Sequence, residues 1–230
     1  MRRSKKNIGI IGLGFYVPKK VLTNKDLEGM VETSDEWITT RTGIKERRIA
    51  AAAESTSMLA FNAAKDALKN AKIEPLDVEL IVVATITPDM AFPATACFLQ
   101  EMLGAKNAAC FDVSAACAGF VYGLVIAQQF LRSGAYKNAL VIGAEKLSSI
   151  TDWQDRNTCV LFGDGAGAAV LAPVENGGIL ASYMGCDGSM TELLMQPAGG
   201  SRMPASRETV DQRLHFIKMR GNEVFKLAVK

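Results

Sequence analysis

Histidine is almost absent from this chain: of its 230 residues, His215 is the single one. Cysteine is sparse and unpatterned. The five thiols are odd in number and show no C-x-x-C spacing, which argues against a disulfide framework and against a zinc site. Reduced thiols, a cytoplasmic location and no metal are therefore expected. Long apolar runs are missing too, since none approaches the roughly 18 residues of a membrane span. Nor does one sign of charge dominate. Net charge is +2, and the basic residues are scattered apart from "MRRSKK", read as a solvated tail. That leaves no case for nucleic acid or a membrane surface as partner.

The opening "RRSKKNIGIIGLGFYV" has the outline of a secretory signal. Its apolar part, however, holds glycines, ends in "VPKK" and lacks an A-x-A cleavage pattern. A buried first strand, Ile8 to Phe15, is the better expectation. Apolar residues make up 49% of the chain and charged ones 22%, enough for a real core in one large domain or two small ones.

Strand and helix patterns alternate along most of the length. A short helix is expected from about Asn24 to Val31. A second begins near Thr33, where "TSDE" reads as a capping box with Thr33 as cap and Glu36 reaching back. "STSMLAFNAAKDALKNA" is amphipathic, with Met58, Leu59, Ala63, Leu68 and Ala71 near one face. "ELIVVATI" reads as a buried strand, and Pro93 opens the next helix, "PATACFLQEML". "NAACFDV", "NALVIGAE", "GAGAAVLAPV" and "GGILASYMG" read as further strands. Alternation of this kind predicts an α/β sheet with helices on both faces. Residues 190–213 are polar, contain Pro and Gly without sustained periodicity, and read as a long surface loop before the helix "GNEVFKLAVK".

Within this frame "DVSAACAGF" stands out. Cys117 falls between a predicted strand and a predicted helix, with every bulky side chain stripped from around it. Small neighbours leave space for a substrate. Unpaired N–H groups at a helix start supply partial positive charge that suits an anionic sulfur and could help bind an oxyanion. Free cysteine is nevertheless most often a small core residue, and Cys97, Cys110, Cys159 and Cys186 are read that way. Two glycine-rich stretches, "GIIGLGFYVP" and "FGDGAGAAVL", lack the strand–loop–helix context of a dinucleotide fingerprint. Their glycines, with Asp164, are assigned to tight turns and close packing.

"DVSAACAGF" resembles the active-site motif of β-ketoacyl-acyl-carrier-protein synthase III, of the thiolase-like superfamily. "TSDEWITTRTGIKERRIA", "AFPATAC", "DRNTCVLFGDGAGAAVL", "GCDGS" and "MRGNEVFKLAV" match that family in order, so the resemblance runs the length of the chain. It implies a thiolase-like fold, with αβαβα layers when complete. This chain would supply mainly the first βα half, with a mixed five-stranded sheet. The implied segments are a first half over 1–189, a connecting loop over 190–213 and the start of a second half over 214–230.

The activity implied is initiation of type II fatty acid synthesis. Acyl-CoA, with acetyl-CoA the first choice, acylates Cys117. Decarboxylative condensation with malonyl-acyl carrier protein then gives a 3-ketoacyl-acyl carrier protein. By the same resemblance Trp37, Arg41, Arg156 and Thr33 bind CoA, while Phe92, Phe162 and Leu194 line the acyl pocket, Phe92 across a homodimer. Coenzyme A is substrate here, and no resident cofactor is expected.

The family's second half carries a histidine and an asparagine that stabilise the enolate, and neither motif occurs in this chain. His215, in "RLHFIKM", is assigned a structural or surface role. The expectation is therefore a fragment, a truncated gene product or one part of a split enzyme, with Val224, Phe225, Leu227 and Val229 exposed. Two alternatives stand beside the enzyme: a noncatalytic acyl-CoA-binding partner, and a related thiolase-like synthase of secondary metabolism.

Overall fold

The computed structural model describes residues 7–229, so the tail "MRRSKK" lies outside the described residues. The chain opens with β1 (Ile8–Tyr16), β2 (Lys20–Thr23), α1 (Asn24–Glu28), α2 (Asp35–Thr42) and β3 (Glu46–Ile49). Next come α3 (Thr56–Ala71), β4 (Leu80–Ala84), α4 (Thr95–Leu103), β5 (Ala109–Val113), α5 (Gly119–Ser133) and β6 (Ala139–Lys146). The remainder holds α6 (Arg156–Cys159), β7 (Asp164–Pro173), β8 (Leu194–Met195), α7 (Arg207–Asp211), β9 (Lys218–Met219) and α8 (Gly221–Ala228).

These elements form two compact units. The first combines the chain up to Pro18 with Ala50–Lys146 and Asp164–Met184. Its core is a mixed five-stranded sheet of order β1-β7-β6-β4-β5. β4 runs parallel to β5 and β6, and β7 runs antiparallel to β1 and β6. The interior strand β4, "LIVVA", is buried at every position, as a β-branched run covered on both faces should be. On one face α3 and α4 bring Ala63, Ala67 and Leu99 against Ile81, Val83 and Ile142. On the other, α5 brings Ala127 and Leu131 against Val82, Val141 and Leu171.

The glycines of "GIIGLGF" serve the contact between β1 and α3. A Cβ on Gly14 would lie 2.3 Å from the Ala63 carbonyl oxygen and the Ala67 nitrogen. Backbone approach, as read from the sequence, is what they provide. Asp164 is buried at the start of β7, where its carboxylate accepts from the Ala50 N–H at 2.6 Å.

The second unit combines Lys19–Ile49 and Leu147–Gly163 with the chain from Gly185 on. It holds two small antiparallel pairs, β2 with β3 and β8 with β9. Leu27, Ile38, Cys159 and Val160 form its buried cluster, with Trp37 and Trp153 packed on it. The Arg47 guanidinium, only 4% exposed, donates to the Val160 carbonyl through Nε at 3.0 Å and to Asn24 Oδ1. Asp152, whose side chain is 6% exposed, pairs with Arg213 and Lys218.

Several sequence expectations give way. The cap of α2 is Ser34, not Thr33: the Ser34 hydroxyl accepts from the Trp37 N–H, and the helix starts at Asp35. α1 stops at Glu28, with Gly29 as its C-cap. Pro93 lies outside α4, whose cap position is Ala94. Met58 is exposed, because alanines at 60, 64 and 67 let α3 sit closer to the sheet on a slightly rotated face. "GGILASYMG" forms no strand. Gly177 and Gly178 take left-handed backbone, Ile179 makes one hydrogen bond to the Ile8 carbonyl, and Leu180 and Tyr183 turn to solvent. The stretch expected as a loop, 190–213, carries β8, α7 and short 3₁₀ turns. Phe225, Leu227 and Val229 of the last helix are exposed and Val224 is half-buried.

Candidate active site

In the sheet unit, β4, β5 and β6 are parallel, so their C-terminal ends gather at one edge, where open α/β sheets bind ligands. Cys117 stands there, exposed, in a 3₁₀ turn spanning Ala116–Ala118 that runs directly into α5. Ala116 holds φ at +44°, a left-handed backbone that is costly for a residue with a Cβ. Held strain of this kind fixes the direction in which the next side chain leaves the turn. The small neighbours are explained in part by packing. A Cβ on Gly119 would lie 3.1 Å from the Ala84 Cβ, so α5 begins almost in contact with β4.

Two details of the turn differ from expectation. The N–H groups of Ala118 and Gly119 donate to Ala115 O and Ala116 O, so these two are not spare donors for an oxyanion. Asp112, the first residue of "DVSAACAGF", caps a different helix. Its carboxylate accepts from the Thr95 N–H at 2.7 Å and the Ala96 N–H at 2.9 Å, at the start of α4. Periodicity carries no signal for such a cap, because donor and acceptor lie 17 residues apart.

The other thiols differ from Cys117. Cys97 and Cys110 are half-buried with sulfurs 3.8 Å apart, and burial pushes the Cys110 thiol up to about 11. Cys159 is buried and likewise raised by desolvation. Cys186 is exposed rather than part of a core. Phe92, in the connection from β4 to α4, is 83% exposed.

In the second unit, Trp37 and Arg41 lie one turn apart on α2, and Arg156 opens α6, capped by Asp155. Both guanidinium carbons approach the Trp37 ring centroid, Arg41 at 4.5 Å and Arg156 at 4.6 Å. Thr33 Oγ1 is buried with no hydrogen-bond partner. Phe162 is half-buried, and Leu194 is exposed at the start of β8. His215 Nε2 lies 2.9 Å from the Thr209 hydroxyl, consistent with a structural role.

The structure thus brings Trp37, Arg41 and Arg156 together in one unit and sets Cys117 and Phe92 in the other. An exposed thiol on a strained strand-to-helix turn can accept an acyl group. An indole flanked by two guanidiniums can take an aromatic ring that carries phosphate. Among the described residues no group of three or more His, Cys, Asp or Glu is placed to hold a metal. No helix among them is long and apolar enough to cross a membrane.

Comparison with known proteins points one way. Residues 111–188 match the family model described as 3-oxoacyl-[acyl-carrier-protein] synthase III. A β-ketoacyl-[acyl-carrier-protein] synthase III of Caldanaerobacter subterraneus is 65% identical over 223 residues, covering 96% of this chain and 67% of that protein. The crystal structure of 3-oxoacyl-[acyl-carrier-protein] synthase III from Aquifex aeolicus superposes with a TM-score of 0.85 at 52% identity, over 96% of this chain and 67% of the other. A priming β-ketosynthase of the R1128 polyketide pathway reaches a TM-score of 0.89 at 35% identity, over 100% and 68%. The chain spans about two thirds of the length of these relatives.

Proposed function

The chain belongs to the 3-oxoacyl-[acyl-carrier-protein] synthase III family, and from that premise we propose that Cys117 is the nucleophile that takes an acyl group from acyl-CoA. The activity is that of a condensing acyltransferase, which starts type II fatty acid synthesis by joining acyl-CoA to malonyl-acyl carrier protein. Identity of 65% and 61% to two synthase III proteins, against 35% to the polyketide-priming enzyme, favours fatty acid synthesis.

In the first half-reaction the Cys117 sulfur attacks the thioester carbonyl. A new carbon–sulfur bond forms, the bond to CoA breaks, and the cysteine proton ends on the CoA thiol. In the second, the malonyl group loses carbon dioxide and its α-carbon bonds to the acyl carbonyl. The Cys117 sulfur then leaves and regains a proton. CoA enters as substrate, and no resident cofactor is needed for either step.

Trp37, Arg41, Arg156 and Thr33 are assigned to CoA. The indole and a guanidinium offer stacking faces to the base, the arginines pair with phosphate, and the buried Thr33 hydroxyl has no partner of its own. Phe92, Phe162 and Leu194 are assigned to the acyl chain. A homodimer would use the open edge of β5, one of the two outermost strands of the sheet, and would give the exposed Phe92 a surface to enter. A cytoplasmic setting fits the half-buried, unpaired Cys97 and Cys110.

The observation that carries this reading is the exposed Cys117 on its strained turn at the C-terminal edge of the parallel strands. Intact-mass measurement after incubation with acetyl-CoA tests it. One acetyl group, a gain of about 42 Da, is expected on the native chain and none on Cys117→Ala. A folded native chain that gains no acetyl group would overturn the assignment.

A further inference from the structure

Glu145, next to last in β6, is half-buried and lies outside every motif that pointed to Cys117. Its carboxylate is fully engaged. Oε1 accepts from the Ile86 N–H at 2.9 Å, and Oε2 accepts from the Thr87 hydroxyl at 2.5 Å and the Thr85 hydroxyl at 3.4 Å. Those three residues follow β4 directly. Their donors are all neutral, and among the described residues no ion pair reaches Glu145. Burial accordingly pushes its carboxyl above the usual carboxylate range. A carboxylate that gives up part of its hydration with no counter-charge costs stability. Retaining one here calls for a gain elsewhere.

The residues it holds are central to the site. The Thr85 N–H donates to the Val113 carbonyl at 3.2 Å, which ties the segment to the last residue of β5, four before Cys117. Ala84, immediately before Thr85, is the residue that the start of α5 approaches at Gly119. Thr87 adds a second clamp. Its hydroxyl oxygen accepts from the Lys146 N–H at 2.8 Å, and its carbonyl accepts from the Thr56 hydroxyl at 2.6 Å. Beyond Thr87 the same connection carries Phe92.

We propose that Glu145 is a positioning residue for the acyl-transfer site: it fixes residues 85–87 after β4, and through Ala84 and Val113 the turn that presents Cys117. This rests on the assignment of Cys117 as nucleophile, but its structural half can be tested separately. The hydrogen bonds of Glu145 go to residues 85–87 and not to Cys117 or to the side chains assigned to CoA, so its effect is expected on the acyl-transfer step and not on CoA affinity.

The test uses the whole chain with Glu145→Ala, Glu145→Gln and Thr87→Val. Hydrogen exchange reads position. In Glu145→Ala, amides at Ile86 and across 114–119 should exchange about tenfold faster or more, with residues 63–68 in the middle of α3 unchanged. Acetyl transfer from acetyl-CoA reads consequence. Its limiting rate should fall about tenfold to a hundredfold in Glu145→Ala while the half-saturating concentration stays within about twofold. Glu145→Gln keeps an acceptor for Ile86 and should recover part of the rate. Thr87→Val, which leaves the carboxylate in place, should move both readouts the same way by less. Unchanged exchange at 86 and 114–119 overturns the proposal, as does an unchanged limiting rate. If the native chain accepts no acetyl group, the functional assignment fails, and alkylation of Cys117 by iodoacetamide replaces acetyl transfer. A rate altered about threefold or more in Glu145→Ala then supports positioning, and an unaltered one overturns it.

Discussion

Two ways of holding a polypeptide together sit side by side in this chain. In the sheet unit, Ile81, Val82 and Val83 of β4 and Leu140, Val141 and Ile142 of β6 are wholly buried between layers of helix, and apolar area removed from water is the main stabilising term. In the unit bearing Trp37, the apolar cluster is small, and buried polar groups complete the interior. Arg47 bridges Val160 and Asn24. The Asn24 amide in turn reaches Asp35 Oδ1 at 2.7 Å and the Ile44 carbonyl at 2.8 Å. The first design tolerates exchange among apolar residues of similar volume. The second depends on each partner, since a buried group left unpaired loses its hydration with no return.

That contrast can be broken most sharply at Arg47. Arg47→Ala would strand the Val160 carbonyl and Asn24 Oδ1, and a loss of about 4 kcal/mol is expected in urea unfolding. A loss below 1 kcal/mol would show that water or a neighbour replaces the guanidinium and that the polar interior is not decisive. Gly14→Ala probes the sheet unit. Its added Cβ meets α3 backbone at 2.3 Å, so about 3 kcal/mol of destabilisation is expected, in contrast to about 1 kcal/mol for a volume-conserving exchange such as Ile81→Leu.

Asp152 sharpens the comparison through pH. The hydrogen bonds from Arg213 hold its carboxyl down at about 2, below the 3.8 of a free aspartate. The folded value is depressed, so the stabilisation is full above the free value and is lost as pH falls through about 2. Asp152→Asn should therefore cost about 2 kcal/mol at pH 7 and progressively less between pH 4 and 2. Stability curves of the two proteins that stay parallel across that window would remove Asp152 from the account.

The sheet was legible because its information is local. "LIVVA", "ALVIGAE" and "GAGAAVLAP" each announce a strand through their own composition, and the helix faces follow from spacing. Ser34 and Thr33 show the limit. Adjacent hydroxyl residues make equally good caps on paper, and only the backbone turn decides that Ser34 bonds the Trp37 N–H while Thr33 goes unpaired. Arg47 was invisible for another reason. Its partner Val160 lies 113 residues away, and a carbonyl oxygen leaves no mark on sequence. Of the candidate site, Cys117 was singled out by its small neighbours between a strand and a helix, while its role and the assignments of Trp37, Arg41 and Arg156 came from resemblance to the family. Glu145 and Asp112, which hold the scaffold around the thiol, look like ordinary acidic residues until their donors are seen.

The Arg156–Trp37 contact has a consequence for how a nucleotide would enter. A ring lying between an indole and a guanidinium needs about 7 Å between the two planes, twice a van der Waals separation. The 4.6 Å from the Arg156 guanidinium to the indole centroid leaves no such gap. On the proposed assignment the slot is shut in this structure, and a base could enter only once Arg156 swings away. If the closed contact is worth about 1 kcal/mol, roughly one molecule in six stands open at any moment, and the apparent affinity is weaker by that factor. If Trp37 and Arg156 take the base of CoA as proposed, association would cease to rise with ligand concentration once it reached the opening rate, and the first contact would be timed by one arginine side chain.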